Sequence, residues 1–97
     1  MEPQPTVIDG YLHGAGTKYP LSLESPNWKN WLRVHKRFYI ASEQGRISVY
    51  KINNHWIAQK RVKRHLRQQR LGSTARLVNI PWQSLNNLAS AMARDSD

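Results

Sequence analysis

The sequence predicts an α+β fold, in which a small antiparallel sheet of three to four strands packs on a C-terminal helix. Residues 46–52 alternate between apolar and polar side chains, as strands with one buried face do. Residues 82–92 instead repeat apolar side chains at helical spacing. The links between the predicted strands are short, which requires antiparallel neighbours. A chain of 97 residues has the size of one domain.

Residues 1–20 are predicted to form an irregular N-terminal arm, because they contain three Pro and three Gly and few periodic apolar side chains. Four apolar side chains leave open a short strand that docks on the body: Val7, Ile8, Tyr11 and Leu12. Residues 21–97 are then predicted to be a single basic domain of sheet and helix.

A short helix is predicted to follow Ser25. Serine is a good N-cap, and Pro26 suits the first helical position. Trp28, Trp31 and Leu32 then fall on one face. Their helical spacing indicates core residues, and stacking of the two tryptophans on nucleic-acid bases is the alternative.

Four strands are predicted next, separated by turn-like residues. They cover residues 38–40, 46–52, 56–62 and 66–71. The tight connection between the last two is Lys63-Arg64-His65. Residues 73–80 are predicted to be a connector.

Alternation along the strands assigns their residues to two faces. The side predicted to face the helix contains Ile47, Val49, Trp56, Ala58, Lys60 and Val62. The exposed side contains Arg46, Ser48, Tyr50, Ile57, Gln59 and Arg61. In the last strand the exposed set is Arg67, Gln69 and Leu71, and the inward set is Leu66, Gln68 and Arg70. A bulge near Arg64 would reverse this last assignment.

The C-terminal helix is predicted to begin near Pro81. Its apolar face consists of Trp82, Leu85, Leu88, Ala89 and Met92. The opposite face is polar and neutral, so we expect this helix to pack on the core while the charge lies on the sheet. The tail, residues 94–97, is predicted to fray.

Positive charge is concentrated in the second half of the chain. The formal net charge is +9, and no acidic residue occurs between Gln44 and Met92, where nine basic residues lie. Six of the nine fall within residues 60–70, interleaved with apolar side chains. A folded basic surface of this kind predicts a polyanionic partner, most commonly nucleic acid.

Other classes of function have little support. Cysteine is absent, which excludes disulfides and cysteine-based zinc sites, and the four His are scattered rather than spaced as metal ligands. No paired carboxylates, nucleophile motif or phosphate-binding glycine loop stands out, so we expect neither a cofactor nor catalysis. No apolar run could span a membrane, and the N-terminus lacks signal-peptide features. We expect a cytoplasmic, nucleoid-associated protein.

Residues 56–62, the turn, residues 66–72 and the following Leu-rich helix form a pattern that resembles the arm-type DNA-binding domain of tyrosine integrases and similar small modules of bacterial mobile elements. The resemblance covers residues 38–93. It implies a three-stranded antiparallel sheet on one C-terminal helix, with the exposed sheet face in the DNA major groove. Residues 1–37 have no counterpart, the usual turn glycine is missing, and no integrase catalytic domain follows. The resemblance therefore implies recognition without strand exchange.

The predicted nucleic-acid-binding residues come from this sheet and its turn. They are Arg46, Ser48, Tyr50, Gln59, Arg61, Lys63, Arg64, Arg67, Gln69 and Arg70. Arg61 and Arg67 are candidates for guanine, and Gln59 and Gln69 are candidates for adenine. Lys63 and Arg64 are expected at phosphates, which position a protein without specifying a sequence.

The sequence leaves three hypotheses for function. The first is a non-enzymatic protein that binds double-stranded DNA, as a regulator or as a recombination or architectural factor of a mobile element, within a larger nucleoprotein complex. The second is an RNA-binding module that stacks bases on Tyr39 and Tyr50. The third is a phage-type inhibitor that covers an acidic or nucleic-acid-binding surface of another protein.

Overall fold

A computed structural model of the chain describes residues 5–14, 20–62 and 64–93. For Val62 it describes the backbone alone. The strands in these ranges are β1 (Thr6–Ile8), β2 (Tyr11–His13), β3 (Leu21–Ser22), β4 (Arg37–Ser42), β5 (Gly45–Ile52), β6 (His55–Val62) and β7 (His65–Ser73). The helices are α1 (Pro26–Val34), α2 (Thr74–Val78) and α3 (Trp82–Ala93). The predicted α+β class is confirmed.

The strands of the described residues form one sheet in the order β3-β2-β1-β4-β5-β6-β7. Neighbouring strands are antiparallel, except β1 and β4, which are parallel. The prediction of three to four strands was too low. The additional strands, β1 to β3, contain only two or three residues each, which is too few for an alternating pattern.

The first two strands form a hairpin where an irregular arm was expected. The two-residue turn Asp9-Gly10 joins them, with φ angles of 52° and 83°. Such positive φ angles match the twist of tight hairpins, and Asp-Gly is a common sequence for them. Val7 and Leu12 are fully buried, so the hairpin belongs to the core. Residues 1–4 and 15–19 of the expected arm lie outside the described residues.

Helix α1 has the predicted start and the predicted buried face. The Ser25 hydroxyl accepts a hydrogen bond from the Asn27 amide at 3.1 Å, and a proline occupies the first turn. Trp28, Trp31 and Leu32 are all buried. Their interpretation as core residues is therefore confirmed, and they are not available for stacking on bases.

The core lies between α1 and α3 on one side and a single face of the sheet on the other. This inner face of the sheet presents Phe38, Ile40, Ile47, Val49, Trp56 and Ala58, each at most 1% exposed. Helix α3 contributes Leu85, Ala89 and Met92, as predicted. The Phe38 ring centroid lies 5.2 Å from that of Trp28 and 5.5 Å from that of Trp56, so it joins helix to sheet.

Residues 73–80 are more ordered than the predicted connector. Strand β7 continues to Ser73, whose hydroxyl accepts a hydrogen bond from the Arg76 amide at 3.3 Å and caps the short helix α2. Leu77 on α2 is fully buried. None of the helices in the described ranges has the length and apolarity needed to cross a membrane.

The register of β7 differs from the predicted one. Val62 pairs with His65, so two residues rather than three separate β6 from β7. A change of one residue exchanges the two faces of a strand. Leu66, Gln68 and Arg70 therefore lie on the exposed side, and the residues between them lie on the inner side. The predicted sides of all these residues were wrong.

Near its end β7 contains a bulge. Ile57 pairs with Arg70, whereas Trp56 pairs with Gly72, so Leu71 is an extra residue in β7. Leu71 is buried, and not exposed as predicted. The bulge therefore lies at Leu71, at the opposite end of β7 from the one considered near Arg64.

We predict that Leu85→Ala lowers the free energy of unfolding by about 3 kcal/mol, because it removes a fully buried side chain between α3 and the sheet. Asn87→Ala, at an exposed position of the same helix, is the control and should change it by less than about 0.5 kcal/mol. Urea denaturation measures both. Equal losses in the two variants would contradict the placement of α3.

Candidate nucleic-acid interface

The side of the sheet away from the helices, the outer face, collects most of the predicted binding residues. It consists of Arg37 and Tyr39 on β4, Arg46, Ser48 and Tyr50 on β5, Ile57, Gln59 and Arg61 on β6, and Leu66, Gln68 and Arg70 on β7. All of these side chains are exposed or half-buried. In the described ranges, the buried strand residues point the other way, toward the helices.

Strand pairing arranges the outer face in rows that run across the sheet. One row is polar and consists of Tyr39, Ser48, Gln59 and Gln68, each paired with the next. A neighbouring row consists of Arg37, Tyr50, Ile57 and Arg70. Directly paired residues lie about 5 Å apart, so the side chains within a row contact one another.

Gln68 connects the two rows through hydrogen bonds. Its Nε2 donates to Gln59 Oε1 at 3.1 Å and to Tyr50 Oη at 3.1 Å. These two bonds use both protons of the Gln68 amide group. Gln59 Nε2 then remains as a donor and Gln68 Oε1 as an acceptor, both on the outer face. We call this pair of carboxamides the amide pair.

The tyrosines of the outer face are engaged with neighbouring side chains. The guanidinium of Arg46 lies 4.5 Å from the ring centroid of Tyr39, and that of Arg37 lies 5.4 Å from it. At such distances cation–π attraction holds the arginines over the ring. The Tyr50 hydroxyl accepts the bond from Gln68. The Tyr39 ring therefore supports two arginines, and the Tyr50 hydroxyl supports Gln68.

The outer face is positively charged. It carries Arg37, Arg46, Arg61 and Arg70, and Arg64 is exposed at the β6–β7 turn beside it. The acidic residues of the described ranges, Asp9, Glu24 and Glu43, all lie in turns. Since no carboxylate interrupts the described outer face, the positive fields of its arginines add.

Arg67 lies on the inner side of the sheet, contrary to the prediction. Its Nη1 donates to the carbonyls of Ala91 at 3.3 Å and Met92 at 3.4 Å, in the last turn of α3. A cation is favourable there because the last carbonyls of a helix lack partners within the helix. The predicted exposed position of Arg67 was wrong, and its guanidinium contacts the end of α3 instead.

Lys51 has the same role at α1. Its Nζ donates to the Leu32 carbonyl at 3.0 Å and lies 5.3 Å from the ring centroid of Trp56. Both contacts are on the inner side of the sheet. Part of the positive charge that the sequence concentrates between residues 44 and 92 thus stabilises the fold.

The structure brings together six of the ten predicted site residues. Arg46, Ser48, Tyr50, Gln59, Arg61 and Arg70 share the outer face. Arg64 lies at its end, and Lys63 is outside the described residues. Gln69 pairs with Ala58 and so lies on the inner side with Arg67, which corrects its predicted position.

Two further residues belong to this site. Gln68 was missed because its face depends on the length of the β6–β7 turn. Arg37 was missed because the predicted strand began one residue after it, although alternation from Tyr39 would have placed it on the same face.

In the part of the chain that the structure describes, no three His, Cys, Asp or Glu residues lie close enough to hold a metal ion. Comparisons with protein-family models, curated proteins and solved structures find no match for this chain. The resemblance to arm-type integrase domains stays a prediction. What the fold defines is an α+β protein with one sheet face on the core and a basic outer face that the described helices leave exposed.

We predict that Arg67→Met lowers the free energy of unfolding by about 1 kcal/mol, because the thioether keeps the apolar stem but cannot donate to the end of α3. Arg61→Met removes the same charge from an exposed position and should change stability by less than about 0.5 kcal/mol. Urea denaturation at low salt compares them. A larger loss for Arg61→Met would contradict the register of β7.

Proposed function

We propose that this protein binds double-stranded DNA through the outer face of its sheet and acts by recognition rather than catalysis. The proposal rests on one observation: arginines surround a hydrogen-bonded amide pair on a sheet face that none of the described helices covers. Arginines attract phosphates, and carboxamides read base edges. A role as a regulator or as a recombination or architectural factor of a mobile element follows from the sequence resemblance alone.

The dimensions of the sheet restrict which strands enter the DNA. Strands are spaced about 4.8 Å apart, so seven of them are roughly 30 Å across. The major groove is only about 12 Å wide. The edge formed by β5, β6 and β7, about 10 Å across, fits this groove. Arg37, on β4, is then placed at the phosphates along the rim of the groove. The Arg46 guanidinium extends over Tyr39 of β4 and so toward the same rim.

The amide pair suits one base in the groove. Adenine presents N7, an acceptor, beside the N6 amino group, a donor. Gln59 Nε2 and Gln68 Oε1 offer the matching donor and acceptor, because the bond between the two carboxamides fixes their orientation. We therefore propose that Gln59 and Gln68 together read a single adenine. Gln69, the previous candidate, points to the inner side.

Two arginines flank the amide pair and add a second element of sequence. Arg61 lies two residues from Gln59 on β6, and Arg70 lies two residues from Gln68 on β7, in the opposite direction along the sheet. Two strand residues span about 6.6 Å. This distance equals about two base-pair steps of 3.4 Å. With the strands along the groove, the expected site has guanines about two base pairs to either side of the adenine.

The arrangement of the aromatic side chains favours duplex over single-stranded nucleic acid. Single strands bind by stacking unpaired bases on exposed rings. The ring of Tyr39, one of the two tyrosines on the outer face, already has the Arg46 guanidinium against it. RNA and an acidic protein surface remain as competing partners, and competition against duplex DNA tests them.

We predict that affinity for duplex DNA falls with salt, with a slope of log affinity against log salt near −5, as neutralising five or six phosphates requires. Fluorescence anisotropy between 50 and 200 mM KCl measures it. Arg46→Ala should reduce the slope by about one unit, whereas Arg33→Ala, an exposed position on α1, should leave it unchanged. A slope near zero, or stronger competition by single-stranded RNA or polyglutamate than by unlabelled duplex, would reject the proposal.

We predict that Gln59→Ala and Gln68→Ala each remove a preference for adenine of about 1–3 kcal/mol at the same position of a site selected from random duplexes. Gln83→Ala, an exposed glutamine on α3, should keep that preference. Titration against the selected site and against its single-base variants measures the effect. Loss at two different positions, or an equal loss on every sequence, would show that the amide pair does not read one base.

A further inference from the structure

Strand β7 is the last strand of the described sheet, and one of its edges is open there. Among the described residues it pairs only with β6, and its other edge has no neighbouring strand. It is nine residues long and contains no proline. Such an edge presents a row of backbone N–H and C=O groups to any extended chain that approaches it.

A groove runs beside this edge, between β7 and the two C-terminal helices. Its volume is about 420 Å³, within the range of protein ligand pockets. Leu71, Ile80, Leu85 and Leu88 supply its apolar lining, and Arg70 and Arg76 line it as well. We call this the edge groove. It lies at the side of the sheet, apart from the amide pair.

The bulge in β7 shapes the edge groove. Gly72, the residue after the bulge, has a φ of +92°, which favours glycine, and Leu71 before it is buried. A Cβ at Gly72 would lie only 2.7 Å from Cδ of Arg76. The missing side chain therefore leaves the space through which Arg76 reaches along the rim of the groove.

We propose that the edge groove binds an extended acidic segment of another protein, which adds to β7 as an eighth strand. Its backbone pairs with the open edge, and its side chains alternate between the two sides of the sheet. Apolar side chains enter the groove. Carboxylates on the other side, and at the ends of the segment, meet Arg70 and Arg76.

Charge decides between this partner and a second copy of the chain. Pairing of β7 with β7 of another copy would bring the Arg70 and Arg76 side chains of both copies to one junction. Like charges on paired strands are destabilising, and the chain has no acidic residue between Gln44 and Met92 to offset them. An acidic partner gains the attraction that a second copy lacks.

Arg70 also belongs to the outer face, so this partner is expected to weaken DNA binding.

The test uses fluorescein-labelled ten-residue peptides that alternate valine and glutamate, titrated into the full chain without DNA and followed by anisotropy. We expect saturable binding with one peptide per chain. The affinity should be at least ten-fold higher than for a control peptide that alternates valine and lysine. Two further valine–glutamate peptides carry N-methyl groups, one on the backbone nitrogens of all valines and the other on those of all glutamates. One of these two peptides should no longer bind, because only alternate backbone amides of the peptide face β7.

Arg76→Glu should weaken binding of the valine–glutamate peptide at least ten-fold. Arg33→Glu makes the same change in net charge at an exposed position on α1 and should leave the affinity unchanged. Amide exchange of β7 should slow when the peptide is bound. The proposal is overturned if the peptide does not bind, if both N-methylated series bind as well as the parent, or if the two arginine variants weaken binding equally. Because no DNA is present, none of these outcomes depends on the proposed DNA interface.

Discussion

The contact of Phe38 with Trp28 on one side and Trp56 on the other is the interaction on which the rest of the structure depends. It joins α1 to the centre of the sheet and commits one face of β4 and β6 to the core. Because strand residues alternate, their neighbours are committed to the opposite face. The outer face, with its arginines and amide pair, is thus a direct consequence of how this small core is packed.

Much of this arrangement could be predicted from the sequence, wherever the pattern was long enough. The alternation in residues 46–52 and the helical spacing after Pro81 gave β5 and α3 with their correct buried faces. The local signals at Ser25 and Pro26 gave the start of α1. The strands β1 and β2 were predicted only as an open alternative, and β3 was not predicted, because two or three residues show no period.

In the candidate site, the sequence pattern predicted the faces of some strands and not of others. Residues on β5 and β6 were placed correctly, because apolar neighbours such as Val49 and Ala58 fix their faces. Strand β7 has few apolar residues, so its face depended on counting the residues in a turn. An error of one residue exchanged the predicted faces of Gln68 and Gln69. It also placed Arg67 on the outer face, so its contact with α3 was not predicted. Composition alone could not separate the cations that hold helix ends from those that face a partner.

The parallel pairing of β1 with β4 has a consequence for how the chain folds. Strands β4 to β7 are consecutive hairpins whose contacts are close in sequence. The contact of Thr6 with Tyr39 instead requires closing a loop of more than thirty residues that includes α1. Contacts distant in sequence carry a larger entropic cost and form more slowly. We expect the four C-terminal strands to assemble first, and the N-terminal strands to join last and to be the first part of the sheet to open.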